Sequence, residues 1–117
     1  MDLSQAIHMH AEWKLKFRRA ISGKEMLDAA SIASDNCCEL GKWLHGEGKI
    51  KYSGLPSHAE CTVKHAAFHV EAGKVAAAIN ASKYIEAEAM LGGNAAYAAA
   101  SSDVTIAITR LKKEAGV

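Results

Sequence analysis

The chain has little of what breaks a helix or builds a sheet. Proline occurs once in 117 residues, and aromatic residues make up only 6%. Strands announce themselves by period-two alternation of β-branched and aromatic residues, and no stretch here shows it. No block of Lys or Arg appears and the formal net charge is +1, which argues against a nucleic-acid partner, because that recognition rests on clustered cations. No apolar run reaches the roughly 18 residues that a membrane helix needs. The Ala-rich runs are interrupted by Asn80, Asn94 and Ser101-Ser102-Asp103, so direct membrane insertion is not expected. The first residues carry Asp2, His8, His10 and Glu12 where an export signal needs an apolar core. Cysteine is scarce: Cys37, Cys38 and Cys61. An odd count with two adjacent makes a poor disulfide framework, so reduced thiols in the cytoplasm are expected.

What remains is alanine and helix-forming sequence. Hydrophobic residues make up 50% of the chain, much of it Ala, the best helix former. The length suits one domain spanning residues 1–117. The reading is all-α: an antiparallel bundle of four main helices with one or more short extra helices.

Residues 2 to 22 read as the first helix, with Ile7, His10, Lys14, Phe17 and Ile21 recurring at spacings of three and four. Ser22-Gly23 ends it. A second helical piece starts near Lys24 and breaks around Ser34-Asp35, where Asp35 is a candidate N-cap for Asn36 to His45. Within that segment, Leu40, Trp43 and Leu44 form an apolar face, and Gly41 mid-helix marks a close approach. Residues 46 to 56 read as a loop closed by Pro56. A long helix follows to Asn80, then a short one from Lys83 to Leu91. Gly92-Gly93 is a turn. The last helix runs from Asn94 to Glu114, with Ala95, Ala98, Ser102, Thr105, Ile106, Thr109 and Leu111-Lys112 periodic along it.

Chemistry concentrates in the long helix. His65 and His69 stand four apart, so their imidazoles share one helix face and can reach one metal ion. A closed tetrahedral site needs two more N or S donors. The first helix offers His8 and His10, the second segment Cys37 and Cys38, the long helix Cys61, and the loops His45 and His58. His10 shares a helix side with Trp13 and Phe17, whereas His8 does not. The inventory allows a four-ligand site without choosing its members. Asp28 and Asp35 are candidate acceptors for a ligating imidazole, or plain helix caps.

Separated pieces of the chain resemble the chemoreceptor zinc-binding (CZB) domain. His10-Ala11-Glu12-Trp13-Lys14 is similar to that family's His-x-x-Trp-Lys motif, and Cys38-Glu39-Leu40-Gly41-Lys42-Trp43-Leu44 to its Cys-x-Leu-Gly-x-Trp motif. His65-Ala66-Ala67-Phe68-His69 is similar to its His-x-x-x-His motif, and the Gly46-Glu47-Gly48 stretch also fits. The motifs fall in the family's order along essentially the whole chain. The resemblance implies a Zn2+ ion held in the bundle by His10, Cys38, His65 and His69. It further implies a cytoplasmic sensory domain, a homodimer, and an output region of a chemoreceptor or a diguanylate cyclase as partner. The stimulus it implies is zinc itself or an oxidant such as hypochlorous acid, read through a zinc-bound thiolate.

An enzyme is not expected. A catalytic zinc keeps an open position and a general base nearby, and no His-Glu-x-x-His arrangement surrounds either histidine of the pair. A di-iron bundle wants Glu three residues before each ligating His, and those positions hold Thr62 and Ala66. A metal-free helical interaction module would leave the spaced motifs as coincidence.

Overall fold

The computed structural model describes all residues, Met1–Val117, as helices joined by short connections. The first helix runs in two segments, α1 (Leu3–Ala11) and α2 (Trp13–Gly23). Glu12 between them keeps helical angles, and its neighbours keep the ladder: Glu12 N–H reaches the His8 carbonyl at 3.0 Å and Lys16 N–H the Glu12 carbonyl at 3.1 Å. The two segments therefore act as one rod. It ends at Lys24, which turns into the left-handed region at φ 52°.

The next segment departs from the expectation. Helix starts only at α3 (Ala29–Ala33), capped by the Asp28 carboxylate, which accepts from the N–H and hydroxyl of Ser31. α4 is Glu39–His45, and its N-cap is Cys38, not Asp35. Asp35 instead pairs with His45 at 3.0 Å. The stretch read as a loop contains α5 (Glu47–Tyr52). Gly48 is why: a Cβ there would lie 2.7 Å from the Trp43 ring, so this glycine serves packing and does not break the helix.

α6 (Pro56–Asn80) is the spine. Proline at its start loses nothing, because the first N–H groups of a helix lack partners anyway. At 25 residues it spans about 37 Å, most of the molecule's 43 Å long axis. α7 (Tyr84–Met90) and α8 (Ala96–Ala115) complete the chain, and α2, α3, α4, α5, α7 and α8 all pack on α6. α8 ends at Gly116, whose φ of 73° suits a residue without Cβ. The bundle is all-α as expected, and the break expected around Ser34-Asp35 is present, with α3 and α4 each shorter than the pieces anticipated on either side of it.

Alanine and glycine set how close these helices come. Gly73 faces Ala33, and a Cβ built on it would lie 2.5 Å from the Ala33 Cβ. Asn80, read from sequence as a helix break, clasps the loop before α3: its Oδ1 accepts from Leu27 N–H and its Nδ2 donates to Leu27 O, both at 2.8 Å. The larger side chains form a chain of rings. Trp13 meets Phe17 (5.4 Å between centroids), Phe17 meets Tyr97 (5.9 Å), Tyr97 meets Phe68 (5.6 Å), and Phe68 meets His10 (5.3 Å). Phe17 and Phe68 are fully buried, worth about 1.5–3 kcal/mol each. The core thus leads directly to an imidazole.

Candidate metal centre

Sequence order scatters His10, Cys38, His65 and His69, and the fold gathers them. One donor atom from each lies within 4.8 Å of all the others. The Cys38 sulfur is 3.2 Å from His65 Nε2, 3.6 Å from His69 Nε2 and 3.9 Å from His10 Nε2, and the two α6 nitrogens are 3.0 Å apart. A tetrahedral zinc with ordinary bond lengths sets N···S edges of about 3.6 Å and N···N edges of about 3.3 Å. The residues present fit such an ion in size and in donor chemistry, since imidazole and thiolate together suit zinc.

Each donor is aimed by its own element. Nδ1 of His10 lies 2.7 Å from the carbonyl oxygen of Ala6, one turn back in α1. A carbonyl only accepts, so Nδ1 holds the proton and Nε2 presents its lone pair to the site. His69 is fixed the same way, its Nδ1 donating to the Ile32 carbonyl at the end of α3, 2.7 Å away. His65 differs: its Nδ1 is buried with no partner. These acceptors are main-chain groups, whereas Asp28 and Asp35 were the sequence candidates. The Ala6 contact was readable as an i−4 back-bond; nothing in the sequence points to Ile32.

Cys38 has two tasks. Its sulfur accepts from Gly41 N–H at 3.4 Å and so starts α4. The turn closes tightly enough that a Cβ on Gly41 would fall 1.7 Å from the Asp35 carbonyl oxygen and 3.1 Å from the His65 ring. The close approach expected at Gly41 is therefore the Asp35 backbone, and the ligand cysteine and ligand histidine share this contact.

Burial tunes the group. Desolvation pushes the imidazoles of His10 and His69 below their usual range, and desolvation plus the neighbouring imidazoles lowers His65 to about 3. All are neutral at pH 7, the form that binds metal. Burial also raises the Cys38 thiol, offset in part by N–H groups at the start of α4; a bound cation reverses that balance.

The other candidates lie outside. His8 is exposed, and His45 is exposed and paired with Asp35. His58, a loop candidate in the sequence, lies in α6 and is buried, with Nε2 bonded to the Leu44 carbonyl at 3.0 Å. Cys61 is buried, its thiol pushed up to about 12 by desolvation. Cys37 is exposed.

A helical bundle that converges three imidazoles and one cysteine sulfur supplies the four donors of a tetrahedral zinc-type site. Residues 10–76 match the chemoreceptor zinc-binding domain. The chain belongs to that family, and it is a zinc-binding signalling domain. No curated protein and no solved structure matches the chain. No helix is long and apolar enough to cross a membrane.

Proposed function

We propose that the chain is a cytoplasmic sensory domain of bacterial signal transduction. It holds Zn2+ through His10, Cys38, His65 and His69, reports zinc or an oxidant such as hypochlorous acid to a chemoreceptor-type output region, and catalyses no reaction itself. The observation that carries this reading is the convergence of the four donors from α1, the α4 N-cap and α6.

Bound zinc would keep Cys38 as a thiolate, the form that oxidants attack. The rest follows from the chain's own groups. His10 ties α1 to α6, and Cys38 ties α4 to α6. His69 passes its position to α3 through the Ile32 carbonyl. Oxidation of Cys38 removes a donor and weakens the cap on α4 in the same event, so a change at one sulfur reaches several helices.

The proposed homodimer pairs through one face. Val63 and Val70 of α6 and Ile106 of α8 are 64%, 51% and 49% exposed. Beside them, Ala67, Val70, Ala96 and Ala99 line a shallow groove edged by Lys64, Glu71 and Asp103. Small residues on adjacent helices suit a second copy, because a twofold axis sets this one patch against itself, and the rim charges are paired within the chain, Lys64 with Asp103 and Glu71 with Lys74.

The deciding experiment is metal content by mass spectrometry on protein purified without added metal, for wild type and Cys38→Ala. One zinc per chain, held weakly by the variant, supports the reading. No zinc in wild type after refilling would remove it.

A further inference from the structure

We propose that Cys37 is the resolving thiol for Cys38, so that oxidation of the site ends in a reversible Cys37–Cys38 disulfide. The inference rests on the oxidant-sensing reading above and adds a residue outside the ligand set.

Three observations meet here. First, an open cleft of about 360 Å³ reaches the site from solvent, lined in part by Trp13, Ile32, Cys37, Cys38 and His69. It is the route by which a small oxidant reaches the sulfur, and both adjacent cysteines line it. Second, Cys37 is exposed, and its sulfur's one hydrogen bond is a 3.7 Å donation to Asn36 Oδ1 of the neighbouring residue. Third, both cysteines lie in the bend between α3 and α4, outside any helix. Neighbouring residues in extended backbone point their side chains to opposite sides, so closing a bridge between them requires the local backbone to twist. A bend without a helical ladder can do this; α6, which carries Cys61, cannot.

The chemistry balances with a two-electron oxidant of the hypohalous acid or hydroperoxide class. The Cys38 thiolate takes the oxidant's terminal oxygen, halide or alkoxide leaves, and Cys38 becomes a sulfenic acid. The Cys37 thiol then attacks that sulfur, the S–O bond breaks, an S–S bond forms and water departs. The bridge draws the Cys38 sulfur away from the imidazoles and from Gly41 N–H, which opens the site. A thiol reductant restores both thiols. Without Cys37, the sulfenic acid persists until a second molecule of the same oxidant converts it to sulfinic acid, which thiols do not reverse.

The test uses zinc-loaded wild type, Cys37→Ser and Cys61→Ala, each treated with two equivalents of hypochlorous acid, enough to carry an unprotected thiolate to the sulfinic acid. Zinc release is followed with a chromophoric chelator, zinc rebinding is measured after added reductant, and the unreduced peptide containing residues 37 and 38 is weighed. Wild type and Cys61→Ala should give a peptide lighter by two hydrogens and should rebind zinc after reduction. Cys37→Ser should release zinc, show sulfinic acid at Cys38, and rebind roughly fivefold less zinc or lower still. If Cys38 is oxidised but Cys37→Ser rebinds zinc as fully as wild type, or if the bridge joins Cys37 of two chains, the resolving role is wrong and the sensing reading stands. If Cys38 stays unmodified in every protein, both are wrong.

Discussion

The carbonyl oxygen of Ile32 accepts a hydrogen bond from Nδ1 of His69 at 2.7 Å, so the orientation of one imidazole depends on where α3 lies. Gly73 sets that position by letting Ala33 sit against α6. Gly73→Ala is the sharpest test of the coupling. In an unencumbered helix this change stabilises by about 1 kcal/mol. Here the added methyl would lie 2.5 Å from the Ala33 Cβ and 2.9 Å from its Cα, atoms that move only with the backbone. Overpacking of that kind costs about 1–3 kcal/mol. The expected outcome is a lower melting temperature together with zinc affinity reduced about tenfold, as when a ligand's outer partner is disturbed. Chelator competition measures the second effect; unchanged affinity would separate α3 from the site.

Tyr97 presents the opposite case. Its ring joins Phe17 to Phe68, yet its hydroxyl is buried with no partner, and desolvation pushes it up to about 12. Tyr97→Phe keeps the ring contacts and removes the unsatisfied group. Stability should rise by about 1 kcal/mol, read from urea unfolding. A loss instead would reveal a partner for the hydroxyl in solution.

The metal-free protein should weaken as the pH falls. In the unfolded chain the imidazoles titrate near 6.5, while burial holds His10, His65 and His69 lower, with His65 at about 3. Below about 6.5 the unfolded chain therefore binds protons that the folded one refuses, and stability declines through that window. The depressed carboxylates of Asp28 and Glu114 act in the same direction only further down. Thermal melts of chelator-treated protein between pH 7 and pH 5 isolate the histidines. A flat melting temperature there would contradict their burial.

Pairing through the α6–α8 face predicts that Val70→Glu yields a monomer. Val70 is 51% exposed, so the change leaves the fold intact while placing two carboxylates near the twofold axis. Light scattering after size exclusion should show the wild type as a dimer and the variant as a monomer, with zinc content unchanged. A monomeric wild type, or a variant that stays dimeric, would move the interface elsewhere.

Much of the site was legible because its residues are chemically distinctive. His65 and His69 at helical spacing point to a shared ligand, and Gly41 in mid-helix points to a close approach. The limits of α6 were readable from Pro56 and Asn80. Which face turned inward was less so. In the last helix only Leu111 of the periodic set is buried, and the other buried positions are Tyr97, Ala100, Val104, Ala107 and Ile108. On α6, Val63 and Val70 face outward although they are apolar. Alanine is the cause: it occupies both faces of these helices, so the apolar contrast that reveals an inward stripe is weak. Cys38 capping α4 and Gly48 packing on Trp43 escaped for another reason. Both depend on partners that only the folded chain supplies.

The spacing of the donors has a consequence for the unfolded chain. His10 and Cys38 are 28 residues apart, and Cys38 and His65 are 27 apart. An ion gripping all of them ties off successive loops of the polymer, and closing one loop of that length lowers the disordered chain's entropy by about 3–4 kcal/mol. The segment after His69, with α7 and α8, lies outside every loop. Filling the site therefore restricts the leading part of the chain and leaves the trailing part free, so the two ends should differ in how far their order depends on metal.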